Sequence, residues 1–264
     1  MYSEEIGKLS GAAVNKAALL KRSKGKYLVA SALAGMFVGF GIILIFTIGG
    51  LLGAVNSPAT KIVMGLSFGV ALSLVLAAGS ELFTGNNMIM IVGVLEKKVK
   101  SSDLWNIWIF SWIGNLVGSI VLAAMFVASG LSQGTTAEFI LKTSAAKMGA
   151  PFMQLFFRGI LCNILVCLAV WCFFKLKDEA AKLIMVFWCL FAFITSGFEH
   201  SIANMTLLSI ALMIPHKAVV SLGGFAHNII AVTLGNIIGG MLFVGIAYWY
   251  VSKKETEEIN NKIA

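Results

Sequence analysis

Charge is what this chain has least of. Of its 264 residues, 12% are Asp, Glu, Lys or Arg, about half the share of a soluble domain. With 59% hydrophobic residues, that deficit excludes an ordinary water-soluble fold and leaves a polytopic membrane protein. Proline is reduced to Pro58, Pro151 and Pro215, which punctuate the ends of apolar runs and so support the span boundaries drawn below. No His-Glu-x-x-His pattern and no Gly-x-Ser-x-Gly elbow occurs, which argues against a hydrolase. Cys162, Cys167, Cys172 and Cys189 lie in apolar stretches without the paired spacing of a zinc site, and are read as inert core residues. Nor is there a cleavable signal: the first 26 residues hold six basic side chains and no uninterrupted apolar core, so the N-terminus is expected to be retained.

What is present is a series of runs long enough for the roughly 20 residues of a spanning helix. Residues 27–55, 104–137 and 218–252 qualify without interior charge; 62–95 carries Glu81, 148–174 carries Arg158, and 183–214 carries Glu199 and His200. The expectation is an all-α membrane protein with six transmembrane helices. Residues 1–26, with Ile6, Leu9, Ala13 and Leu20 spaced against Lys8, Lys16, Lys21 and Arg22, read as an amphipathic helix on the membrane surface or packed beneath the protein. The channel-forming part is placed at 27–252, and 253–264 is a polar tail.

Lys and Arg fall unevenly. The N-terminal arm, the loops after spans two and four and the tail hold fifteen of the 20; Lys61, Lys142, Lys147 and Lys217 fall on the other side, with Arg158 near the mouth of span four. Both termini are therefore expected in the cytoplasm. The +8 net charge is a topology signal, and no nucleic-acid partner is implied. Trp105, Trp108, Tyr248, Trp249 and Tyr250 fall where interfacial aromatics belong. Arg158 is read as a structural charge, paired or snorkelling.

Two short motifs repeat in the same order. "GSELFTGN" at 79–86 aligns with "GFEHSIAN" at 197–204, and "GNLVGS" at 114–119 with "GNIIGG" at 235–240, at offsets of 118 and 121 residues. The repeats cover about 27–130 and 148–252. Three spans per repeat make the second half enter the membrane from the opposite side. Inverted repeats with interrupted helices are a transporter and channel architecture, with the substrate site where the breaks meet. Spans two and five are longer than one straight crossing, so the breaks are expected there. Glu81, Glu199, Asn86 and Asn204 are candidates for satisfying the backbone groups a break frees, the carboxylates by accepting from N–H groups. His200 stands where the first repeat has Leu82; imidazole in a helix break is a functional candidate because its charge changes near neutral pH. His216 and His227 are read as a loop residue and a packed polar group.

With these residues in hand, the sequence resembles the formate/nitrite transporter family, on "ELFTGN" at 81–86, "RGILCN" at 158–163, "SGFEHSIANM" at 196–205 and "GNIIGG" at 235–240, and within it looks most like the hydrosulfide branch. The resemblance implies an aquaporin-like protomer in a homopentamer, each protomer with its own pore, in the bacterial inner (plasma) membrane. It implies a channel for small monovalent anions of weak acids, hydrosulfide first, with a formate or nitrite channel or a proton-coupled transporter as alternatives, and no cofactor or metal. By the same resemblance His200 is the pore histidine, Thr84 its hydroxyl neighbour, Asn163 a polar wall residue and Lys147 an outer-vestibule lysine. Phe68, Leu72, Leu82 and Phe193 match the constriction residues. Residue by residue, Thr84 alone reads as a half-helix cap, Lys147 as a solvated loop charge, and Phe68, Leu72 and Phe193 as membrane core. A neutral-solute channel of the aquaporin type shares the inverted halves but should carry Asn-Pro-Ala at both breaks, where no proline occurs.

Overall fold

A computed structural model describes residues 2–253; the polar tail expected from 253 onward lies, beyond its first residue, outside the described residues. Among the described residues every regular element is helical. Helix α1 (Ser3–Arg22) precedes the first span, α2 (Lys24–Ala54). The second span is divided into α3 (Thr60–Ser67), α4 (Gly69–Ala77) and, beyond a break, α5 (Phe83–Leu95); α6 (Ser101–Ala128) is the third. The second half repeats the order: α7 (Gly134–Met148), α8 (Phe152–Lys175), a broken fifth span of α9 (Glu179–Ser196) and α10 (Ser201–Met213), then α11 (Leu222–Ile238), which continues as a π-helical stretch, Gly239–Ile246. Six of these units are long and apolar enough to cross a membrane.

Both breaks fall where the repeated motif begins. Gly79 and Gly197 each sit at φ +77 with open space where a Cβ would be. They are therefore required for the left-handed backbone rather than for room. Helices α2 and α6 pack closely because a Cβ on Gly118 would strike the carbonyl of Ala32; α8 and α11 do so because one on Gly235 would strike that of Phe156. Small residues at such crossings let backbones approach in the absence of a hydrophobic drive between helices.

One open alternative is decided, in favour of packing beneath the protein, and one expectation is corrected. The apolar face of α1 is turned into the protein: Ile6, Leu9, Ala13 and Leu20 are buried, with Ala13 against Gly93 of α5. The free energy gained by burying that face is collected from the bundle, not from lipid. Residues 134–148, read in the sequence as the end of span three followed by an outer loop up to the start of span four, form α7. It stands before α8 as α1 stands before α2, so each repeat begins with a short helix. The N-terminus and the end of the sixth span share one face of the molecule, where the Tyr2 ring lies 5.4 Å from that of Tyr248.

Candidate functional site

A broken helix strands peptide groups that lipid cannot satisfy. In the first half Asn115 of α6 repairs the break. Its Oδ1 accepts from the Phe83 N–H at 2.9 Å, while its Nδ2 donates to the carbonyls of Glu81 (2.9 Å) and Ser31 (2.7 Å). In the second half Asn236 of α11 does the same work: Oδ1 accepts from the Ser201 N–H at 2.9 Å, and Nδ2 donates to the carbonyls of Glu199 (3.0 Å) and Gly159 (2.8 Å). These are the asparagines of the repeated Gly-Asn pairs, used in the sequence only to establish register. Two further bonds tie each break to the neighbouring span, from the Glu81 N–H to the Ala30 carbonyl and from the Glu199 N–H to the Arg158 carbonyl, both 3.2 Å.

The carboxylates therefore do something other than expected. Glu81 accepts from Lys16 of α1 at 2.8 and 2.9 Å, from the Tyr27 hydroxyl at 2.8 Å and from Asn86 Nδ2 at 3.3 Å. Glu199 accepts from Lys147 of α7 and from Asn204 Nδ2, each at 2.6 Å. Among the described residues neither side chain accepts a backbone N–H. The lysines sit on the two equivalent short helices, so the ion pairs pin α1 and α7 to the breaks. Lys147 is thus neither a loop residue nor an unpaired charge. Asn86 also bonds Tyr27, and Asn204 bonds Asn228 Oδ1 at 2.8 Å. Trp108, expected at the interface, is buried and donates from Nε1 to the Asn86 carbonyl at 3.1 Å.

The two breaks meet at His200 and Thr84. His200 caps α10, accepting the Ala203 N–H on Nδ1 at 3.2 Å, and its Nε2 lies 3.0 Å from Thr84 Oγ1 in the first turn of α5. An imidazole that accepts on Nδ1 carries its proton on Nε2 when neutral, which assigns the donor of the Thr84 contact. The Phe193 ring stacks beside His200 with centroids 6.1 Å apart and packs edge-on against Phe68 at 5.5 Å. Asn163 is fully buried; its Nδ2 donates to the carbonyls of Thr84 (3.2 Å) and Asn236 (2.6 Å) and to Asn87 Oδ1 (3.1 Å). The Asn236 carbonyl also accepts the Gly239 N–H, at the point where α11 continues as the π-helical stretch.

Two cavities approach this point from opposite faces. One, of about 1000 Å³, is bordered by α1 and reaches Leu72, Glu81 and Leu82. The other, of about 360 Å³, contains Lys147, Arg158 and Glu199 and reaches Phe193 and His200. Between them lies a void of about 10 Å³ lined by Phe68, Leu72, Leu82, Phe193, His200 and further apolar side chains, at the lower limit of space for one water, roughly 10–15 Å³. The structure thus brings His200, Thr84 and all four apolar candidates together; Asn163 touches Thr84 from behind. His216 and His227 lie elsewhere, bonded to the carbonyls of Ile214 and Ala150. No group of three or more potential metal-binding His, Cys, Asp or Glu side chains occurs among the described residues.

Comparison with known proteins gives a consistent result. The chain is 44% identical to the nitrite transporter NirC of Escherichia coli (strain K12), over 99% of this chain and 97% of that one. A solved FNT family ion channel superposes with a TM-score of 0.90 at 42% identity, covering 94% of this chain and 99% of the other. A pentameric formate channel with formate bound does so with a TM-score of 0.78 at 32% identity, covering 88% and 98%. The hydrosulfide preference drawn from the sequence finds no counterpart among these three. The pattern described as Formate/nitrite transporter matches residues 3–250, and the chain belongs to the formate/nitrite transporter family.

Proposed function

We propose that the protein is a channel for the small monovalent anions of weak acids, assembled as a homopentamer with a pore in each protomer, in an inner (plasma) membrane with both termini cytoplasmic. The substrate named for its nitrite-transporting relative puts nitrite ahead of hydrosulfide and formate. The uneven distribution of Lys and Arg supports the orientation. Broad apolar faces on the outside of the protomer, including Phe40, Leu44, Ile113 and Val117, suit lipid and neighbouring subunits.

The observation that carries the reading is the hydrogen-bonded pair of His200 and Thr84 at the end of one vestibule, with an apolar chamber behind it. A bare anion entering that chamber loses its hydration and gains no donor beyond His200, a cost of many kcal/mol that favours neutralisation instead. His200 as an imidazolium would turn an N–H toward the Ala203 N–H and lose its cap, worth about 1 kcal/mol, at the positive end of a helix dipole. The neutral ring is therefore the resting form. An anion arriving at Nε2 displaces Thr84 and stabilises the imidazolium that a proton from vestibule water creates. The proton taken up sits on Nδ1, so it is the Nε2–H that passes to the anion, and the neutral acid crosses between Phe193 and Leu72. His200 then regains a proton on Nε2 and releases the one on Nδ1 to vestibule water, which restores the Ala203 cap and the Thr84 contact.

Flux into proteoliposomes tests this with nitrite, hydrosulfide, formate and chloride at fixed driving force across about pH 5–8, the range in which His changes charge. Weak-acid anions should pass faster as pH falls, and chloride should lag. Chloride passing as fast as nitrite at every pH overturns the proton-assisted route; no flux of any anion overturns the channel reading.

A further inference from the structure

The halves differ at a second place in the same vestibule. Ala30 and Arg158 hold equivalent positions, each offering its carbonyl at 3.2 Å to the N–H of the glutamate in its break, and each lining the cavity on its own side. Whatever the scaffold needs from this position is supplied by backbone, because alanine suffices in the first half. The guanidinium is therefore surplus to the fold. It has no carboxylate partner among the described residues; its only side-chain hydrogen bond, from Nη2 to Gln154 Oε1 at 3.4 Å, leaves the charge intact. Lys147, by contrast, is neutralised by Glu199 at 2.6 Å. Lys61 also lines this cavity and has no ion pair among the described residues, but it belongs to the first turn of α3, away from the break.

We propose that Arg158 is the cation that gathers and selects anions in the smaller vestibule, handing them to His200, and that Lys147 serves to hold the break in place. The inference rests on the channel reading above. A fixed charge in a low-dielectric cleft raises local anion concentration by 10-fold or more, and its influence fades as salt shortens the Debye length.

The test is initial nitrite flux into proteoliposomes for the parent, Arg158→Lys and Arg158→Gln, at low and high ionic strength. At low salt and low nitrite, Arg158→Gln should slow flux on the order of 10-fold with little change at saturating nitrite; the deficit should shrink at high salt, and Arg158→Lys should retain most of the flux. Arg158→Cys provides a readout that a merely structural role would not move. Modification with a cationic thiosulfonate should restore flux and with an anionic one suppress it, the parent under the same reagents serving as control. Flux in Arg158→Gln equal to the parent, or no dependence on the sign of the attached charge, overturns the role of Arg158 and leaves the channel standing. A parent that passes none of the anions removes both, and is identified before any variant is compared.

Discussion

The two broken spans share a scaffold and differ in chemistry. Each has a left-handed glycine at φ +77, an asparagine from the following span bonded across the gap, and a lysine from a short preceding helix paired with the glutamate. Against that shared frame, the first break presents Leu82 and Ala30 where the second presents His200 and Arg158. Continuing the same register, Gly35, whose Cβ would strike the Asn115 carbonyl, corresponds to Asn163, whose amide bonds the Asn236 carbonyl. What is duplicated is what makes a helix break survive in a membrane. The polar groups suited to handling an anion are concentrated on one copy.

The most damaging way to attack the shared part is Asn236→Leu, with Asn115→Leu as its twin. Each strands the two backbone groups of its break, an N–H and a carbonyl, at roughly 1–3 kcal/mol apiece, and removes a tie to a neighbouring helix, so neither variant should yield a stable oligomer by size-exclusion chromatography. Survival of one but not the other would show that the breaks are not equally supported. His200→Leu makes the second break like the first: assembly should persist while nitrite flux falls 10-fold or more, and its pH dependence disappears. His200→Asn, which can keep the α10 cap, separates loss of the cap from loss of the proton carrier. Lys147→Met strands Glu199, whose only other side-chain partner is Asn204, and should cost about 3–5 kcal/mol in detergent unfolding, the range for breaking a buried pair. Lys16→Met should cost less, because Glu81 keeps Tyr27 and Asn86. Gly79→Ala and Gly197→Ala meet open space, so each should cost only the left-handed backbone, about 1–2 kcal/mol, and equally.

Much of this was legible in the sequence because it rests on local pattern. Apolar runs gave the spans; the repeated Gly-x-Glu motif located both breaks, and the Leu82–His200 mismatch singled out the imidazole. Less visible were features decided by partners far away in the chain. Asn115 and Asn236 stood in the repeated motifs and were passed over as reagents for the break, although an amide in an otherwise apolar span was the available signal. Glu81 and Glu199 were assigned to backbone N–H groups because nothing local says that a lysine 65 residues before one and 52 before the other will reach it. Helix α7 was missed because its mixed composition hid its kinship with α1. Arg158 was read as structural, and the comparison with Ala30 that supports the role proposed above needs the folded molecule.

The chamber between the vestibules also bears on what must not cross. Protons hop along unbroken files of water, and a space of about 10 Å³ walled by Phe68, Leu72, Leu82 and Phe193 interrupts such a file in this closed form, since a water needs roughly that volume and several polar partners. On the route proposed above each proton crosses only together with its anion, so the proton gradient is drawn on one equivalent per anion carried, and between crossings the chamber adds no separate proton leak.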